Sequence, residues 1–188
     1  MRKNFGAKAA LYPMPVLIIA AYDENGIPNA MNAAWGGISE MNEISVCISA
    51  DHKTTKNILA TKALTISMAT VDQMAACDFV GLVSGNKVPD KLAKAGLHTT
   101  KSEFVNAPLI DELPMALECE LINYDMEKEY MTAKIVNICV DESVLTDGKV
   151  DIAKLRPITY DGLHHGYYVL GEKVGNAYQE GTALKESL

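Results

Sequence analysis

Residues 16–50 read VLIIAAYDENGIPNAMNAAWGGISEMNEISVCISA, and the order of segments within them decides the fold class. Val16 to Ala21 is an unbroken apolar run that closes on the polar turn Asp23-Glu24-Asn25-Gly26. Asn-Gly between two such segments is a hairpin signal, because both residues tolerate the positive φ that a tight reverse turn demands. From Ile27 to Ser39 the chain resumes with small and β-tolerant residues, which predicts the returning strand. Ile44 to Ala50 alternates Ile, Val, Ile with Ser, Cys, Ser, the two-residue period of a half-buried strand. Three strands therefore precede any helix.

Working outward, Thr54 to Lys62 is a short helix opened by a threonine cap, with Ile58 and Leu59 turned inward. Leu64 to Ala69 is again a strand. Two short helical stretches follow, near Asp72 to Val80 and near Asp90 to Ala95, the second capped by Asp90 and stopped by Gly96. Pro114 to Tyr124 and Tyr130 to Val140 are long strands joined across the polar linker Asp125 to Glu129, and Tyr167 to Leu170 is one more strand. Residues 176–188 are polar and read as a loose C-terminal arm of a single domain spanning 1–188. Successive strands with hairpin links and small inserted helices exclude a doubly wound sheet and predict a mainly β, antiparallel barrel with short helices at its periphery.

A chain of 188 residues, 48% hydrophobic and 22% charged, can bury a core without metal or disulfide support. Cys47, Cys77, Cys119 and Cys139 stand far apart with no two-residue spacing, so neither a zinc ribbon nor a redox dithiol motif can be written, and reduced thiols are expected. Arg2, Lys3 and Lys8 ahead of the apolar run Pro15 to Tyr22 imitate the charge order of a secretory signal. Pro13 and Pro15 break any helix there, the run is short and a turn follows it, so the reading is a cytoplasmic protein. No apolar stretch approaches the ~20 residues that span a bilayer, so no membrane partner is expected. The net charge of −7 argues against a nucleic-acid partner. Between residues 52 and 101, however, seven lysines face three acids. That local excess suits either a small anionic ligand or a solvated helix face.

Three stretches can carry chemistry. Ser49-Ala50-Asp51-His52-Lys53-Thr54-Thr55-Lys56-Asn57-Ile58 runs from a strand into a helix start with a lysine and two hydroxyls. Free first-turn amides and the helix dipole attract phosphate there, unless the segment is simply a capped helix with surface lysines. Gly81 to Lys91 is a glycine-broken polar loop that can bring Ser84 and Lys91 against an anion, or merely connect two helices. Asn29 to Gly37 holds Trp35, the one tryptophan, among small residues. Such a strand lets a flat ring approach its backbone closely, or packs Trp35 into a barrel core. His164-His165 lacks a spaced third ligand for a metal, and Cys77 reads as a buried thiol on a helix.

Taken together, Asn-Gly-x-Pro-Asn at 25–29, Lys-x-Thr-x-Asn-Ile at 53–58, Ser-Gly-x-x-x-x-Asp-Lys at 84–91 and Tyr168-x-x-Gly171-x-x-x-Gly175-x-x-Tyr178 resemble the flavin reductase-like, FMN-binding split-barrel family, in its flavoredoxin-type branch. The resemblance begins near Pro13 and covers most of the chain. It implies an antiparallel Greek-key split barrel that forms a homodimer with one FMN per subunit near the interface. By the same resemblance, Lys53, Thr54 and Thr55 take the phosphate with Ser49 and His52 beside it. The ring lies along Asn32, Ala33, Ala34 and Trp35, and Ser84 and Lys91 are further contacts. Members often carry arginine at the position of Lys53 and threonine at that of Asn32; lysine keeps the charge but loses the planar fork.

The function so implied is an FMN-dependent oxidoreductase that takes electrons from NADH or NADPH and passes them to a flavin or an electron-carrier protein. Hydride transfer between stacked rings needs no protein acid or base, so the expected sites are binding sites and no catalytic dyad is named. The rivals are an FMN-holding electron carrier without nicotinamide activity, a split-barrel oxidase of a small phosphorylated amine, and a flavin-free barrel that shares the fold.

Overall fold

The computed structural model describes residues 1–185; the last three positions of the expected C-terminal arm lie outside the described residues. In chain order the elements begin with β1 (Met14–Pro15), β2 (Leu17–Tyr22), β3 (Pro28–Ala33), β4 (Gly36–Glu40) and β5 (Glu43–Cys47). Next come α1 (Lys53–Thr61), β6 (Ala63–Met68), α2 (Met74–Leu82), α3 (Lys91–Lys94), β7 (Thr99–Lys101) and β8 (Pro108–Ile110). The long pair β9 (Met115–Asp125) and β10 (Tyr130–Val140) follows, then β11 (Leu145–Thr146), β12 (Lys149–Val150), α4 (Ile152–Leu155), β13 (Ile158–Asp161), β14 (Gly166–Val169) and α5 (Thr182–Lys185). The strand-rich, antiparallel architecture is the split barrel expected from the sequence. No helix among the described residues is long and apolar enough to cross a membrane.

Seven strands form the curled sheet in the order β3-β2-β6-β9-β10-β5-β4. β2 explains its own unbroken apolar sequence, because it is buried on both faces. Leu17, Ile19 and Ala21 point into the barrel with Val46, Ile66 and Met131. Ile18 and Ala20, with Val16 just before the strand, pack instead under Cys77 and Val80 of α2 and Leu92 of α3. The hairpin turn forms where predicted: Asp23 Oδ1 accepts from the amides of Asn25 and Ile27, both at 2.9 Å, and Gly26 adopts φ +77.

The predicted strand Ile27 to Ser39 is corrected. It breaks at Ala34-Trp35 into β3 and β4, which lie at opposite edges of the sheet. Trp35 bends outward while its carbonyl accepts from the amide of Cys47 at 2.8 Å. Gly36 allows that closure, since a Cβ there would stand 2.9 Å from Leu17 Cδ1 and from the Ser45 carbonyl.

Three further pieces were not anticipated from the sequence: the β7–β8 hairpin, the pairing of β1 and β13 with the expected strand β14, and the β11–β12 pair with α4. The β7–β8 hairpin lies over the outer face of β6 and β9, held by Thr65 Oγ1 donating to the Pro108 carbonyl (2.5 Å) and Ser102 Oγ donating to buried Glu118 (2.5 Å). A three-stranded sheet, β1-β13-β14, sets Tyr160 opposite Tyr167. The β11–β12 pair leads into α4, whose cap Asp151 accepts from the Ala153 amide. Residues 176–185 are exposed turns and α5, with Tyr178 fully solvent-facing.

Candidate functional site

The strand-to-helix corner is built from both sides. After β5 the chain is held by Glu129, whose Oε1 accepts from Ser49 Oγ (2.7 Å) and the Ala50 amide (3.0 Å). His52 takes the extended cap position of α1 with φ −64 and ψ 138, and no side chain caps the helix among the described residues. The predicted threonine cap is therefore corrected. The helix starts one residue before Thr54, and both threonines turn into the core at 1% exposure. Thr54 Oγ1 accepts from Asn29 Nδ2 (2.6 Å), and Thr55 Oγ1 donates to the Ser49 carbonyl (2.7 Å). The first-turn amides of a nine-residue helix, at its positive dipole end, are thus left without a side-chain acceptor, which is the arrangement that receives a phosphate.

Lys53 stands beside this opening, its Nζ 3.2 Å from Asp23 Oδ2. The Ile27 amide, followed by that of Asn25 and by Lys53 itself, holds the Asp23 carboxyl below its usual range against the opposing pull of desolvation. Across a hollow of about 200 Å³ lie the end of α2 and the loop after it, with Gly81, Ser84, Gly85 and Lys91. The two glycines set the width: a Cβ on Gly85 would fall 2.1 Å from Asn29 Oδ1, and one on Gly81 would fall 2.8 Å from Asn32 Cβ. Lys91 is 2% exposed and donates from Nζ to the carbonyls of Val80 (2.8 Å) and Val83 (3.0 Å). Burial pulls its pKa down to about 8.

A second hollow, about 240 Å³, shares Asn32, Gly81 and Leu82 with the first and continues past Ala34 to Asp78, Tyr160 and Tyr167. The two make one groove between β3 and α2. Asn32 sits at the junction, its Nδ2 donating to the Cys77 carbonyl at 3.2 Å. At the far end Tyr167 donates to Asp78 Oδ1 at 2.7 Å, and burial with that bond pushes the phenol up to about 12.

Of the residues expected from the sequence, the groove gathers Asn32, Ala34, His52, Lys53, Thr54, Ser84 and Lys91. Ala33 packs instead against the barrel core, and Ser49 and Thr55 brace the corner from behind. Trp35 is neither core nor groove: it is 59% exposed and lines a separate apolar hollow with Ala34 and Leu11. His164 and His165 turn to different partners, Asp161 and Tyr160. Cys77 is buried, which drives its thiol up to about 12. Sequence reasoning missed Asp78, Tyr160 and Tyr167. Tyr167 adjoins the quoted Tyr168 motif, whereas nothing around Asp78 marks it. A larger cavity, about 770 Å³, lies elsewhere, between residues 146–156 and 169–173. Of its polar groups, Asp151 is bonded to Thr146 and Ala153, and Arg156 to Asp72.

The model of the flavin reductase like domain matches residues 9–162, which hold every wall of the groove except those contributed from Tyr167 onward. The chain belongs to the flavin reductase-like family. Among solved structures, this flavin reductase-like chain is similar to the flavoredoxin of Desulfovibrio vulgaris (Miyazaki F): 34% identical, with a TM-score of 0.92 over 96% of this chain and 100% of that one. A flavoredoxin from Methanosarcina acetivorans shares the fold at TM-score 0.85 and 24% identity, covering 98% of each chain. A curated but uncharacterised protein of Aquifex aeolicus is 26% identical over 161 residues, 78% of this chain and 79% of that protein.

Proposed function

We propose that this flavin reductase-like chain binds FMN in the groove between β3 and α2 and uses it to pass electrons from NADH or NADPH to a flavin or electron-carrier acceptor. The uncapped N-terminus of α1 beside Lys53 carries the reading, because it offers amides, dipole and a cation to one phosphate. Lys53 and the first-turn amides would hold the phosphate, with His52, Thr54 and Ser84 at its rim. Asn32, Ala34 and Gly81 would line the ring, where missing side-chain bulk allows close approach. Bound FMN would supply the two-electron chemistry, accepting hydride from a nicotinamide and releasing electrons to the acceptor. The protein's own work is then binding, orientation and electrostatics.

Two assembly features complete the proposal. Trp35, Ile38 and Met41 are 59%, 65% and 101% exposed along and beside the unpaired edge strand β4. That apolar edge supports a homodimer. Four free cysteines, with Cys77 and Cys119 buried, support a reducing, cytoplasmic setting.

The test is spectroscopic. Purified protein is expected to be yellow or to bind added FMN at micromolar concentration, and to bleach when mixed anaerobically with NADH or NADPH. Binding without bleaching by either nicotinamide supports the second reading, an FMN electron carrier, which the likeness to a flavoredoxin favours. Failure to bind FMN at all overturns both.

A further inference from the structure

The groove is electrostatically lopsided. Lys53 lines the end next to α1, Lys91 lies against the end of α2, and Asp78 is the one carboxylate among the described residues that line either hollow. Asp78 sits on α2 half-buried, and it makes no ion pair among the described residues. Lys91 spends two donors on the Val80 and Val83 carbonyls, and Lys53 faces Asp23. What Asp78 has is a rigid mount. Tyr167 donates to it at 2.7 Å, the Tyr167 ring packs against Tyr160 with centroids 6.1 Å apart, and Tyr160 is bonded to His165 Nδ1 at 2.7 Å. The β13–β14 pairing fixes both tyrosines directly opposite one another.

We propose that Asp78, fixed by Tyr167, is a positioning residue that sets the electron affinity of the bound flavin, making it a stronger reductant. This rests on FMN lying in the groove with its phosphate at α1, which puts the ring toward Asp78. Reduction adds negative charge to a flavin ring. A fixed carboxylate without a counter-ion disfavours that charge, the more so in a half-buried groove of low effective dielectric. Lys53 stands at the opposite end and Lys91 is committed to two carbonyls, so the phosphate is neutralised without an ion pair forming at Asp78.

The experiment measures binding of oxidised FMN, and of dithionite-reduced FMN under anaerobic conditions, to the wild type and to Asp78→Asn. Asparagine keeps an oxygen for the Tyr167 hydroxyl and removes only the charge. Thermal melting checks that the variant folds. The ratio of the reduced to the oxidised dissociation constant is expected to fall by about tenfold, equivalent to a rise of about 30 mV in the two-electron potential. Tyr167→Phe, which frees the carboxylate but keeps its charge, is expected to move the ratio less. A fall of less than threefold in Asp78→Asn, or an equal fall in the distant exposed variant Glu142→Gln, overturns the proposal. If that happens while Lys53→Ala still weakens FMN binding, the groove remains the FMN site and only the role of Asp78 is lost. If Lys53→Ala also binds FMN unchanged, the binding reading itself falls.

Discussion

Lys53, Thr54 and Thr55 are adjacent in sequence, yet the fold gives them different work. Lys53 is partly exposed at the mouth of the groove, so its side chain is available to a ligand. Thr55 is 1% exposed and its hydroxyl already serves the Ser49 carbonyl. Replacing Lys53 by alanine is therefore expected to weaken FMN binding by about 1.5 to 3 kcal/mol, the range of a charge-assisted hydrogen bond. Stability should change little, because its ion pair with Asp23 is near the surface. Thr55→Ala should do the reverse, costing about 1 kcal/mol of stability by removing the hydroxyl bond that ties the start of α1 to the Ser49 carbonyl, with a smaller effect on FMN affinity. Fluorescence titration and urea unfolding of both variants check this, and the opposite pattern would return Thr55 to the phosphate. The lysine and the helix start were legible in the sequence, since spacing alone marks a strand running into a helix. Which hydroxyl faces the ligand was not, because Asn29 and Ser49 decide it from other elements.

At the scale of elements, the loop from Val83 to Asp90 forms one wall of the groove and is tied down by Lys91. The last-turn carbonyls of α2 have no helical partner, and the ammonium group of Lys91 supplies two of them. Lys91 itself appears in the Asp-Lys motif, but its use as a clamp depends on a chain reversal that no local pattern records. Burial lowers its folded pKa to about 8 from an ordinary 10.5. Between those values the unfolded chain holds a proton that the folded one has released, so this group makes stability rise with pH. Compared with Lys91→Met, the wild type should gain on the order of 2 kcal/mol as pH climbs from about 8 to about 10. Cys77, Cys119 and Tyr167, all displaced upward, oppose that gain in both proteins and cancel in the comparison. Denaturant melts across this range check it, and a constant difference would mean that Lys91 stays charged throughout.

For the whole molecule, the decisive event is the curl that leaves consecutive strands β3 and β4 at opposite edges of one sheet. Strand composition made the barrel readable, and the double-sided burial of β2 accounts for its unbroken apolar run. The break at Ala34-Trp35 was invisible because closure depends on Gly36 meeting Leu17 and Val46 from distant strands. The β7–β8 hairpin was invisible for a related reason: its polar, proline-containing sequence is held by Thr65 and Glu118 and not by its own pattern. Splitting the barrel also leaves β4 as an edge with Ile38 65% exposed, and an unpaired apolar edge is unstable in water unless something covers it. A second copy of the chain is the proposed cover. Ile38→Asp places a charge on that edge, where burial against a partner would cost several kcal/mol, yet leaves it harmless in an isolated chain. Light scattering on a sizing column at micromolar concentration should therefore report a dimer for the wild type and a folded monomer for Ile38→Asp. A variant that remains dimeric would place the interface away from β4.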